Sequence, residues 1–128
     1  MILYHATSKE NKEKILEEWF KTSKGRWKEN QWIGRYFIDN VFGEGVYFAT
    51  TEKNTIDDGE IVIKCELNNE YIVKKFIISN DGNSYKKIDD IKYTSKKNCY
   101  KAISIHFKDG NYTEVVVYEP SIIEIVRE

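Results

Sequence analysis

Cysteine and histidine occur only twice each in this chain, proline once, and arginine supplies three of the 20 basic residues. Cys65 and Cys99 stand far apart, with no C-x-x-C spacing and no histidine close in sequence, so the pattern offers no zinc site and points to reduced, structural thiols. With so little arginine, a surface that reads phosphates through bidentate guanidinium contacts is poorly supported. No apolar run approaches the roughly 20 residues needed to span a bilayer. The opening "MILYHATSKE" has neither a basic n-region nor a cleavable apolar core, so the protein is expected to remain in the cytoplasm, away from membranes. Internal repeats, low-complexity tracts and βαβ alternation are also missing.

What is present suits a folded domain. The 128 residues are 41% hydrophobic, 14% aromatic and 32% charged, with a net charge of −1. Such a chain is large enough to bury a core, and residues 1–128 are read as one domain. Charge is uneven along it: residues 74–101 hold eight lysines against three aspartates, and each flanking stretch sums to −3. That middle segment reads as a solvated loop face that could also meet an acidic or nucleic-acid partner.

The pattern of elements predicts an α+β fold with a largely antiparallel core. A strand is expected over Ile2–His5, then a helix opened by a Thr7/Glu10 capping box, with Ile15, Leu16, Trp19 and Phe20 on one face and Gly25 at its end. Residues 26–41 show no clean period and read as a long connection with aromatic anchors at Trp27, Trp32, Tyr36 and Phe37. "GVYFAT", "EIVIKCEL" and "EYIVKKFII" read as strands, and part of "DDIKYTS" as a weaker one. "KAISIHFK" and "NYTEVVVY" form a hairpin around Asp109-Gly110. Pro120 closes it, and "SIIEIVRE" adds a last short strand.

The stretch "FGEGVYFATTEKNT", Phe42 to Thr55, raises the question of a phosphate cradle. A dinucleotide fingerprint needs a third glycine where this chain has Phe48, and it must open a helix, whereas "VYFAT" is a strand. The Gly-Lys-Ser/Thr of a P-loop is also missing. Read alone, Gly43 and Gly45 make a turn feeding a strand.

Three blocks in order, "LYHATS", "FGEGVYFA" and "YTEVVVYEPSIIEI", resemble those of ADP-ribosyltransferases of the poly(ADP-ribose) polymerase and diphtheria-toxin class: His-Gly-Ser/Thr, Gly-x-Gly-Ile/Val-Tyr-Phe-Ala, and a glutamate in a strand ending Val-Tyr. Together they span nearly the whole chain. The resemblance implies that family's fold, mostly antiparallel strands in a split β core with one main N-terminal helix. It also implies NAD as substrate, with no metal.

By resemblance Glu114 is the catalytic carboxylate, holding the nicotinamide-ribose 2′-hydroxyl, and His5 binds the adenosine-side ribose. Ala6 and Thr7 follow it in the first block. Gly45, Tyr47, Phe48 and Ala49 form the second, with Tyr47 stacked on nicotinamide, and Thr55 falls where a serine often bonds the carboxamide. His106 alternates with Ile103, Ile105 and Phe107, is expected to face outward, and receives no role.

The chain departs from the family pattern at three positions. Ala6 replaces the usual glycine after the histidine, and Trp19 stands where a glycine commonly precedes the last hydrophobic residue of the helix. Asp58 occupies the place of a second nicotinamide-stacking tyrosine, so either Tyr36, Phe37 or Trp32 takes that role or NAD binds weakly. Tyr112, two residues before Glu114, lacks the acidic or amide character of arginine-specific relatives. The short "KDGN" loop favours mono-ADP-ribosylation over chain elongation, by a monomer acting on a protein or nucleic-acid acceptor in the manner of a bacterial or phage effector or toxin. NAD glycohydrolysis would use the same cleft, and a module of this fold that binds NAD or ADP-ribose without turnover is the non-enzymatic alternative.

Overall fold

Alternating apolar residues build the strands, and the computed structural model shows where they assemble. It describes residues 1–21, 27–30, 34–37, 42–52, 61–79 and 84–127, with backbone alone at 27–30, 34–37 and 84–85. Strand β1 (Ile2–Thr7) leads into α1 (Lys9–Glu18), and β2 (Trp27–Asn30) and β3 (Gly34–Phe37) follow. Next come β4 (Val46–Ala49), β5 (Ile61–Glu66) and β6 (Ile72–Ile78), then α2 (Ser84–Lys97), β7 (Ala102–Phe107), β8 (Tyr112–Val117) and β9 (Glu124–Ile125). Seven strands form one sheet in the order β6-β7-β8-β4-β1-β5-β9, and β2 pairs with β3 in a separate antiparallel ribbon. The fold is mixed α+β.

Each face of the large sheet carries an apolar layer. Leu3, Val46, Phe48, Ile63, Cys65 and Val115 pack with Phe20, just past α1. On the other face Phe42, Ile78, Ile103, Ile105 and Val116 pack under Ile91 of α2. Val115 and Val116, adjacent and both fully buried, show the period-2 alternation that divides the layers.

Several expectations are corrected. The segment read as a loop face with a weak strand at "DDIKYTS" is instead α2, the longer helix at 14 residues against ten for α1. It connects β6 to β7, which pair in parallel, so the fold holds one crossover of the βαβ kind. Of its described side chains Ile91 and Ser95 are buried and Ile88 is partly covered, while its five lysines are exposed.

The N-cap of α1 is Ser8, whose hydroxyl accepts from Asn11 N–H at 3.1 Å, because Thr7 still belongs to β1 and is buried there. This helix ends at Trp19, well before Gly25, and Leu16 is 42% exposed rather than on the packed face. Residues 27–30 and 34–37, read as part of a long connection, are the paired strands β2 and β3. The β7–β8 turn takes its left-handed residue from Asn111, φ 48°, just past the expected Asp-Gly pair.

One junction sets up the site. β1 pairs with β5 over six consecutive residues, from Ile2↔Glu66 to Thr7↔Ile61, yet it meets β4 through the single pair Tyr4↔Ala49. Four strands lie on one side of this line and three on the other.

Candidate functional site

The turn before β4 is held by hydroxyls. Phe42 is fully buried, its N–H donates to the Tyr47 hydroxyl at 2.8 Å, and its carbonyl accepts from the Tyr118 hydroxyl at 2.6 Å. Tyr47 in turn donates to the Gly43 carbonyl at 2.7 Å, so its ring folds back over the turn that precedes it. Burial pushes the Tyr118 phenol above its ordinary value.

The two glycines serve different needs. Gly43 has φ 111°, which a side chain rarely adopts, whereas a Cβ on Gly45 would stand 2.9 Å from Val116 Cγ1 and 3.1 Å from the Val117 carbonyl oxygen. The Gly-x-Gly is therefore a tight turn pressed against β8.

β4 and β8 are antiparallel, with Tyr47 opposite Val116 and Ala49 opposite Glu114. Cross-strand partners share a face, so Tyr47 and Glu114 lie diagonally on the α2 side of the sheet, both half-buried. Glu114 also faces Ile105 across β7. Tyr4, opposite Ala49, extends this row, so Tyr4 and Glu114 flank a residue whose side chain is only a methyl. Sequence reasoning passed over Tyr4; its place beside His5 in an alternating strand is the signal that puts it on Glu114's face.

The strand carrying Glu114 is braced at the residue before it. Thr50 donates through its hydroxyl to the Thr113 carbonyl at 3.2 Å, and His106 Nδ1 lies 3.0 Å from the Thr113 hydroxyl. His106 is thus half-buried and bonded across the strands, in contrast to the outward orientation expected. On Glu114's own face the rings of Phe107 and Tyr112 stack at 4.8 Å.

His5 belongs to the opposite face. Its ring meets Phe20 edge-on at 5.4 Å and Phe48 at 5.5 Å. Nδ1 reaches the Tyr47 carbonyl at 2.9 Å, beside the single-pair junction. A carbonyl can only accept, so Nδ1 carries a proton in this contact. The structure thus brings Tyr47 and Glu114 onto one face, and joins His5 to them through Tyr47's backbone.

The remaining expected residues fall as follows. Phe48, Ala49 and Thr7 are buried, Ala6 is half-buried opposite Val62, and Gly45 is buried in the turn. Thr55, Asp58 and Trp32 lie outside the described residues, and Tyr36 and Phe37 are described by backbone alone. Cys65 is fully buried, Cys99 is exposed, and burial pushes the Cys65 thiol up to about 12.

A cavity of about 840 Å³ opens at the other end of β1, lined by Met1, Glu66, Tyr71, Lys101 and Glu119 among others, and it contains none of the expected site residues. Among the described residues no helix is long and apolar enough to cross a membrane. No protein-family model and no curated protein sequence matches the chain.

Proposed function

We propose that this chain is an NAD-dependent mono-ADP-ribosyltransferase of the His-Tyr-Glu type, moving ADP-ribose from NAD to a macromolecular acceptor. The observation that carries this reading is the adjacency of β1, β4 and β8, which gathers the three resembling sequence blocks around the one place where the sheet is joined by a single residue pair.

Cleavage of the nicotinamide–ribose bond leaves positive charge on the ribose as nicotinamide departs with the bonding electrons. A carboxylate is the side chain suited to that charge, and it favours the transition state over the ground state. Glu114 fills this role, on a strand whose adjacent Thr113 is held from both sides by Thr50 and His106. Tyr47 offers a rigid ring on the same face, its hydroxyl already engaged in the turn, so the ring rather than the hydroxyl meets nicotinamide. The acceptor nucleophile then bonds to the ribose carbon and passes its proton to the Glu114 carboxylate or, through it, to solvent. The four-residue turn from Lys108 to Asn111, just before β8, offers little surface for a growing polymer, in keeping with a single transfer.

Incubation with labelled NAD and a cell lysate tests the proposal. Transfer puts label on protein or nucleic acid, whereas hydrolysis yields free ADP-ribose alone. Glu114→Gln should lower nicotinamide release by at least roughly 100-fold. Full activity in that variant, or none in the wild type with any lysate, would reject the assignment.

A further inference from the structure

The net charge of the chain conceals a basic edge. β6 is the outermost strand of the sheet, and α2 leads from it back to β7. Together β6 and α2 display seven exposed lysines against two exposed aspartates, Asp89 and Asp90. The aspartates sit in the middle of the helix, and the turn after them is basic: Lys92, Lys96 and Lys97 are all exposed.

Among these lysines stands Tyr93, 67% exposed. It is not part of the apolar layer beneath α2, against which Ile88 and Ile91 pack. Asp89 and Asp90 precede it by four and three residues and Lys96 and Lys97 follow it by three and four, so the ring is bordered by carboxylates toward the start of the helix and by ammonium groups toward its end, with Lys97 Nζ 6.0 Å from the ring centroid. An open ring with cations on the C-terminal side of it meets what an unpaired base needs: a π-face to stack on, with phosphates held by the ammonium groups on that side. Lysine alone would suit any polyanion, and it is the ring that selects nucleic acid. The bases of a duplex are stacked on one another and cannot use it, which selects single strands.

We propose that the Tyr93–lysine face of α2 binds single-stranded nucleic acid, with a base on Tyr93 and phosphates on Lys96 and Lys97. The face adjoins the turn that bears Tyr47, because Lys92 Cγ lies 3.9 Å from where a Cβ on Gly43 would stand. Binding at this face is independent of the transferase reading and is measured without NAD.

Fluorescence anisotropy of the full chain with a labelled mixed-sequence RNA or DNA strand of roughly 12 nucleotides is the test. The expected result is binding that weakens between about 50 and 200 mM salt. Tyr93→Ala should weaken it roughly 5- to 150-fold. Lys96→Ala with Lys97→Ala should reduce the log–log salt slope by about 1.4. Lys9→Ala with Lys14→Ala, on α1, should change neither, and circular dichroism confirms that each surface variant is folded. No binding at the lowest salt, unchanged binding by Tyr93→Ala, equal affinity for the annealed duplex, or displacement by polyglutamate as readily as by unlabelled strand would each overturn the proposal.

Discussion

Phe42 has both of its backbone polar groups held by tyrosine hydroxyls, and this separates two roles that Tyr47 combines. Tyr47→Phe keeps the ring and removes the acceptor of the Phe42 N–H, a loss of about 1–3 kcal/mol in a urea titration. Under the proposed function that variant still releases nicotinamide from NAD, whereas Tyr47→Ala loses both stability and turnover. Retained activity in Tyr47→Ala would remove the ring from the site. At Gly45 the argument is steric: an added methyl would meet Val116 Cγ1 and the Val117 carbonyl, so Gly45→Ala should cost about 1–3 kcal/mol and lower the melting temperature. Trp19 was legible as an anomaly, a large residue where relatives of the resembling class favour glycine. Its backbone explains why, with φ 76° and ψ 177°, a conformation that costs a non-glycine residue about 1–3 kcal/mol. The indole N–H bond to the Pro120 carbonyl at 2.8 Å and the ring's packing on the α1-side layer offset that cost, and neither could be read from the sequence.

At the scale of elements, strands with clean alternation were legible and α2 was not. β5 shows the favourable case, because Ile63 and Cys65 alternate inward and both are buried. Among its described side chains α2 buries Ile91 and Ser95 with Ile88 partly covered, a short stripe among exposed lysines. What selects a helix there is the parallel pairing of β6 with β7, a crossover requirement that a local window cannot register. The candidate site was legible as three blocks and their strand contexts. The facing of His5 away from Glu114 depends on register, which is set by pairings 40 and more residues apart in sequence. Cys65 gives this scale a pH prediction. Its thiol titrates near 12 in the folded chain, against 9.0 for an ordinary thiol, so the folded state keeps a proton that the unfolded chain gives up. Its contribution is therefore full below about pH 9 and is lost as pH rises towards 12. Urea midpoints across that range should fall, less steeply in Cys65→Ala, and Ellman's reagent should find Cys99 quickly and Cys65 only on unfolding. Equal slopes for the two proteins would count against this linkage.

The molecule as a whole was legible as α+β from its order of elements, and its charge asymmetry was legible in residues 74–101, whose lysines α2 and β6 bring to one edge of the sheet. The single Tyr4↔Ala49 pair has a different consequence, a mechanical one. Separating β1 from β5 means undoing six successive residue pairs, and separating it from β4 means undoing one. Among the described residues that line is also spanned by the His5 Nδ1–Tyr47 carbonyl hydrogen bond and by the α1-side layer, with Leu3, Ile63 and Cys65 on one side and Val46, Phe48 and Val115 on the other. Load across the sheet is thus borne there by side-chain contact instead of by a ladder, a shear line along which a four-strand plate and a three-strand plate are held by adhesion.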